Sequence, residues 1–125
     1  MLSLFASGRE FSAIFCQNDD MAAGVLEACR QCERPVPDSL SVIGFDDMPV
    51  AHYLTPKLTT VRQPLVEMGA ASALLAHAIA VGQSSKPIAL HQVFQPHVVE
   101  RASTSRLPRG RSNKGFHDSP AGPSP

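Results

Sequence analysis

Three observations predict an α/β fold with a mostly parallel sheet. Residues 11–16 are a short β-prone run ending in a polar cluster, and residues 40–45 (LSVIGF) are a second run, apolar and β-branched. Between them Met21, Val25, Leu26, Cys29 and Cys32 recur at helical spacing. Strand, helix and strand over about thirty residues make a βαβ unit, whose crossover is expected to be right-handed.

Each element has a local reason. Residues 11–16 read as a buried strand leaving a sheet. Asn18 and Asp19 are good N-cap types, and carboxylates in a first turn favour the positive end of the helix dipole, so Asp19 and Asp20 are expected to start the helix. Pro35 and Pro37 stop it. Residues 40–45 are apolar enough to be covered on both faces, as parallel strands are. An irregular, Pro-punctuated stretch follows Asp46 and Asp47 as far as Leu58, then a brief β-prone run over 59–62. Pro64 precedes a second helix, 65–81, with apolar positions Leu65, Met68, Ser72, Leu75 and Ile79. Its small-residue face predicts a close neighbour, and Gly82 suits the C-cap region. Two β-prone pieces, 88–94 and 97–100, are separated by Pro96. From Ser105 the chain turns to Arg, Gly, Ser, Pro and Asn, too little apolar material to offset the entropy of ordering it. The predicted organisation is one body, 1–104, and a disordered basic tail, 105–125.

With 125 residues and 43% hydrophobic content, the chain is long enough for one modest core. Its zero formal charge hides an asymmetry: seven basic against ten acidic residues up to Thr104, and four against one beyond it. The body therefore lacks the basic balance of a nucleic-acid binder, and a solvated tail is the default for the rest. No apolar run approaches the roughly 20 residues that span a membrane. Residues 1–6 are apolar but carry no preceding basic flank or cleavage pattern, so a soluble, unprocessed, cytoplasmic chain is expected. Three cysteines, Cys16, Cys29 and Cys32, cannot all pair within the chain, which fits a reducing compartment.

The acidic groups after the first two strands are the chemically informative feature. In open α/β sheets ligands bind outside the carboxyl ends of the strands, where Asn18 to Asp20 and Asp46 to Asp47 fall. A carboxylate only accepts hydrogen bonds and an amide both donates and accepts, so together they match the hydroxyls of a sugar or nucleoside. Asn18 and Asp46, each the first Asn or Asp after its strand, are the candidate ligand groups. Clustered carboxylates also serve Mg²⁺-dependent phosphoryl transfer or glycoside hydrolysis. The first wants a Lys and Ser or Thr that the spacing does not mark out, and no P-loop or G-x-S-x-G occurs. The C-x-x-C of Cys29 and Cys32 lies near a helix end without a second pair, so core packing is expected rather than redox chemistry or zinc. The five histidines show no ligand spacing. No catalytic residue, metal or cofactor is assigned, and the chain is not expected to be an enzyme.

The stretches FSAIFCQNDDMAAGVLEAC, RPVPDSLSVIGFDDMPVAHYLTPKLTTVRQP and QPHVVERAST, in that order, closely resemble the lac-repressor and galactose-repressor family of bacterial transcription regulators. N-D-x-M-A-x-G, V-P-x-x-x-S-V-x-G-F-D-D, L-T-T-V-R-Q-P and V-x-R-x-S-T occur in series at family-like spacing. The resemblance implies a partial periplasmic-binding-protein-like fold: most of a second lobe, plus the helix from Leu65, which in relatives crosses back to the first lobe. It implies a small effector of the sugar or nucleobase class, held between two lobes by Asn18, Asp46 and, more weakly, Gln63. It also implies a homodimer in the full-length parent through 22–26 and 48–54, with Ala23, Val50 and Leu54 at the interface, and DNA contact only through an N-terminal helix-turn-helix absent from this chain. The alternatives are a sugar-binding transport receptor of the same fold and an inactive truncated remnant.

Overall fold

The computed structural model describes residues 1–82 and 91–106. Eight elements follow in order: α1 (Leu2–Ala6), β1 (Ala13–Phe15), α2 (Asp19–Gln31), β2 (Ser41–Ile43), α3 (Val50–Tyr53), β3 (Thr60–Arg62), α4 (Leu65–Ala80) and β4 (His97–Val99). β1 and β2 run parallel, with Ile14 opposite Val42, and β3 and β4 run antiparallel, with Val61 opposite Val98. A parallel bridge between Ile43 and Thr59 joins the two pairs. Bonds from the Gly44 N–H to Thr59 O and from the Asp46 N–H to Val61 O, both 2.9 Å, extend that junction toward the carboxyl ends.

β1, α2 and β2 form the expected parallel βαβ unit. α2 turns Ala22, Val25, Leu26 and Cys29 inward against Leu40 and Val42 of the second strand's run, Ala51 of α3, and Leu58. The buried stripe follows the steps 22, 25, 26, 29, so the predicted ends at Met21 and Cys32 are corrected: both are exposed. The helix closes before either proline. Glu33 takes a positive φ of 52°, the Glu33 N–H donates to Arg30 O at 3.3 Å, and the Arg34 N–H donates to Cys29 O at 2.9 Å. Those two bonds satisfy carbonyls that the last turn would leave open.

Burial on β2 also departs from expectation. Val42 is fully buried while Ser41 and Ile43 are only partly covered, and Phe15 of β1 is 60% exposed. These strands are covered on one face rather than two. The two unpredicted helices are short. In α1, Phe5 stacks on Phe11 at 5.8 Å, and the Arg34 guanidinium lies 4.7 Å from the Phe5 ring centre. In α3, the turn 50–53 buries Ala51. Neither shows helical periodicity long enough to read.

α4 forms where predicted, and Gly82 follows its end with φ 63°. The expected close neighbour is not found among the described residues: no residue of α4 is buried, and Leu74 is 71% exposed. β4 occupies part of the predicted run 97–100, whereas 91–94 form no strand. The remainder of the run 88–94, and nearly all of the predicted disordered tail, lie outside the described residues.

The cysteines divide by environment. Burial raises the Cys16 thiol pKa, helped by the Asp19 and Cys29 charges, and burial likewise raises that of Cys29. Cys32 is exposed, so its expected core role is corrected. Under native conditions a thiol reagent such as DTNB is expected to label Cys32 quickly and the other two only on unfolding. Three equally fast thiols would contradict this packing.

Candidate functional site

The sheet's carboxyl ends gather a group of polar side chains from four separate segments of the chain, 18–19, 46–47, 60–63 and 101. After β1 the chain turns into α2 with Asn18 as N-cap: its Oδ1 accepts from the Met21 N–H at 2.8 Å. The capping task expected of Asp19 therefore falls to Asn18. The cap occupies one acceptor and leaves the Asn18 amide NH₂ as a donor.

Asp19 turns inward and is fully buried. Its Oδ1 accepts from the Thr60 hydroxyl at 2.6 Å and its Oδ2 from the Met48 N–H at 2.7 Å. One carboxyl group thus ties the start of α2 to β3 and to the loop after β2. The close approach requires Gly44, because a Cβ there would overlap Asp19 Oδ1 and lie 2.9 Å from Leu58 Cδ2.

β2 is followed by Asp46 and Asp47, both with positive φ, 98° and 55°. L-residues avoid this region, and a neighbouring pair persists only where surrounding bonds hold it. Here consecutive residues of the β3 segment clasp consecutive aspartates. Gln63 Nε2 donates to Asp46 Oδ1 at 2.6 Å, and Arg62 forms an ion pair with Asp47 Oδ2. Arg101 closes the other side: its Nη2 donates to Asp47 Oδ1 at 2.6 Å and lies 3.1 Å from His52 Nε2. The Asp47 side chain is only 2% exposed.

Burial alone would raise the pKa of Asp47, but hydrogen bonds from Arg101 and Arg62, with their charges, outweigh it and hold the carboxyl below its usual range. A depressed carboxylate pKa stabilises the fold above the unfolded value, about 3.9, and that contribution is lost as pH falls through the folded value. Urea midpoints of the parent are therefore expected to drop steeply below about pH 4. Asp47→Asn should be less stable at neutral pH and show a flatter acid limb. Parallel acid limbs in the two proteins would refute this.

The structure thus brings Asp46 and Gln63 into direct contact and places Asn18 at the end of the neighbouring strand, the first position of the α2 cap. Thr60, Arg62 and Arg101 were not singled out by sequence reasoning. The only signal for Arg101 was its place in V-x-R-x-S-T, since its partner lies 54 residues away. Of the proposed interface residues, Ala23, Val50 and Leu54 are all partly buried, and Leu54 packs against the core. Among the described residues no group of three metal-ligating side chains converges, and no helix is long and apolar enough to cross a membrane.

A parallel βαβ unit with polar groups gathered at its strand ends is the architecture of a ligand-binding lobe. Residues 4–104 match the periplasmic binding protein-like domain family, and the chain belongs to that family, in the form found in regulators of the lac-repressor type. It is 44% identical over 105 residues to the HTH-type transcriptional regulator GalR of Salmonella typhimurium strain LT2, a match covering 84% of this chain and 30% of GalR. The chain thus spans about a third of the length of such relatives. Among solved structures, a LacI family regulator from Arthrobacter sp. FB24 in complex with lactose is similar at TM-score 0.72 and 31% identity, over 83% of this chain and 39% of that one. The lac repressor dimer bound to operator and the anti-inducer ONPF is similar at TM-score 0.73 and 27% identity, over 82% and 35%.

Proposed function

We propose that this chain is the C-terminal part of the effector-sensing domain of a lac-repressor-type transcription regulator, and that Asn18, Asp46 and Gln63 meet a small sugar-like effector. The observation that carries the reading is the Asp46–Gln63 contact at the carboxyl ends of the strands, held by 2.6 Å. In it Asp46 keeps free lone pairs for sugar hydroxyls, while Gln63 keeps its Oε1 and a second N–H. The Asn18 NH₂ adds a donor. A ligand offering both O–H donors and acceptors fits this set better than a simple ion does. The solved relative holding lactose supports the sugar class.

The mechanism follows from differential affinity. A sugar contacting this lobe and a second lobe at once binds the closed arrangement more tightly, so it shifts the population toward closure. Closure in a homodimer, with Ala23, Val50 and Leu54 at its interface, would reorient helix-turn-helix heads elsewhere in the full-length cytoplasmic protein. The relatives named for transcription regulation, and the solved dimer on its operator, support this over an enzymatic role.

Calorimetric titration of the full-length protein with lactose and other mono- and disaccharides tests the assignment. Asp46→Ala should weaken effector binding about 10- to 100-fold, the loss of one or two hydrogen bonds to a charged acceptor, with operator affinity unchanged. Equal loss of both activities would count against the role given to Asp46.

A further inference from the structure

We propose that Arg101 is a positioning residue for the effector site: acting through Asp47, it holds Asp46 in the conformation in which its carboxylate meets Gln63. The proposal rests on the reading of Asp46 and Gln63 as effector ligands, and adds to that site a residue whose own bonds go elsewhere.

Asp46 and Asp47 are consecutive residues with φ 98° and 55°, so neither can change its backbone conformation without turning the other. The backbone support at Asp47 is weak, a 3.4 Å bond from its N–H to Thr60 Oγ1. Its carboxylate is what fixes it. Of the two arginines there, Arg62 has a side chain 48% exposed to water, whereas that of Arg101 is only 10% exposed. Arg101 is also anchored along the β3 segment: its N–H donates to Thr59 Oγ1 at 2.9 Å and its Nη1 to Leu58 O at 2.7 Å. A planar guanidinium held by Leu58 O presents Nη2 to Asp47 in one orientation only. The Asp46 N–H bond to Val61 O at 2.9 Å ties that backbone to β3, and Arg101 adds, through the Asp47 carboxylate, the restraint on the other side of the pair that keeps Asp46 turned toward Gln63. A lysine could keep the charge but not both bonds.

The Gln63 side-chain amide reports this link without any ligand. In the ¹⁵N-labelled chain that amide, assigned by its loss in Gln63→Glu, is expected to show two well-separated, slowly exchanging protons. In Arg101→Met the pair should collapse toward the position of a solvated glutamine, with exchange faster by roughly tenfold. Ser103→Ala, which removes bonds from Ser103 to Thr59 and Val42 in the same segment, should leave the Gln63 amide in place. If Arg101→Met fails to fold, Asp47→Asn is the deciding variant and should give the same collapse. An unmoved Gln63 amide in the folded variant overturns the proposal, and so does an equal collapse in Ser103→Ala, which would show general loosening. Titration of the full-length protein with lactose, D-glucose and D-ribose separates the two readings. Arg101→Met should bind the responsive sugar at least tenfold more weakly, again with operator affinity kept. A collapsed amide with unchanged sugar affinity would leave the link standing and remove its effector role.

Discussion

Asp19→Ala is expected to lower the melting temperature of the chain by about 15 °C or more. The substitution removes a fully buried carboxyl group that accepts from Thr60 and from the Met48 N–H. The buried Thr60 hydroxyl loses its acceptor, at a cost of about 1–3 kcal/mol, and with the lost bond to the part-buried Met48 N–H and the void the total is about 3–5 kcal/mol. For a domain of roughly 100 residues each kcal/mol is about 4–8 °C, and total stability is commonly only about 5–15 kcal/mol. Asp19→Asn, of equal shape, keeps one acceptor and should lie between the two. Thermal unfolding followed by circular dichroism measures all three, and an Asp19→Ala protein melting within about 3 °C of the parent would show that the clasp contributes less than one hydrogen bond.

Gly44→Ala should be comparably damaging for a reason that lies in space rather than in backbone conformation. The added methyl meets Asp19 Oδ1 and Leu58 Cδ2, and Leu58 is itself fully buried. Forcing a methyl into packed surroundings costs about 1–3 kcal/mol, and displacing Asp19 adds the loss of its bonds. The double variant provides the sharper test. Once Asp19→Ala has removed the oxygen that the methyl would strike, Gly44→Ala should cost markedly less than it does alone, a coupling of about 1–2 kcal/mol. Strict additivity would mean that the methyl is accommodated elsewhere, against the Leu58 side.

How much of this was legible in the sequence depends on the range of the interaction. The βαβ unit, α4 and its Gly82 stop all rest on periodicity and local turn chemistry, which a single sequence carries. Asn18 and Asp19 show where that reading fails. Both are cap formers by type, and which one caps was decided by Thr60 and Met48, partners 41 and 29 positions downstream. The stop of α2 was misplaced because a glutamate, not a glycine or proline, takes the positive φ at its end. The one-sided cover of β2 was missed because an apolar β-branched run looks the same with one face packed or two. The acidic loop was legible as a place where ligands gather, but its arrangement was not. That Asp47 is enclosed by Arg62 and Arg101 while Asp46 turns to Gln63 follows from how β3 and the 101–104 segment come together, and no spacing rule encodes it.

Ser103 has a consequence for the order in which the molecule assembles. It is fully buried where β2 and β3 part, donating its hydroxyl to Val42 O at 2.6 Å and accepting from the Thr59 N–H at 2.8 Å. Those partners precede it by 61 and 44 residues. The β2–β3 bridge at Ile43 and Thr59 needs nothing beyond residue 61, but its Ser103 bonds form only after nearly the whole body has been synthesised, and the entropy of closing those long loops is spent before either bond forms. The edge of β3 that pairs with β4 likewise stays bare until residues 97–99 are made, and a bare strand edge is what a chaperone or a neighbouring nascent chain can grip.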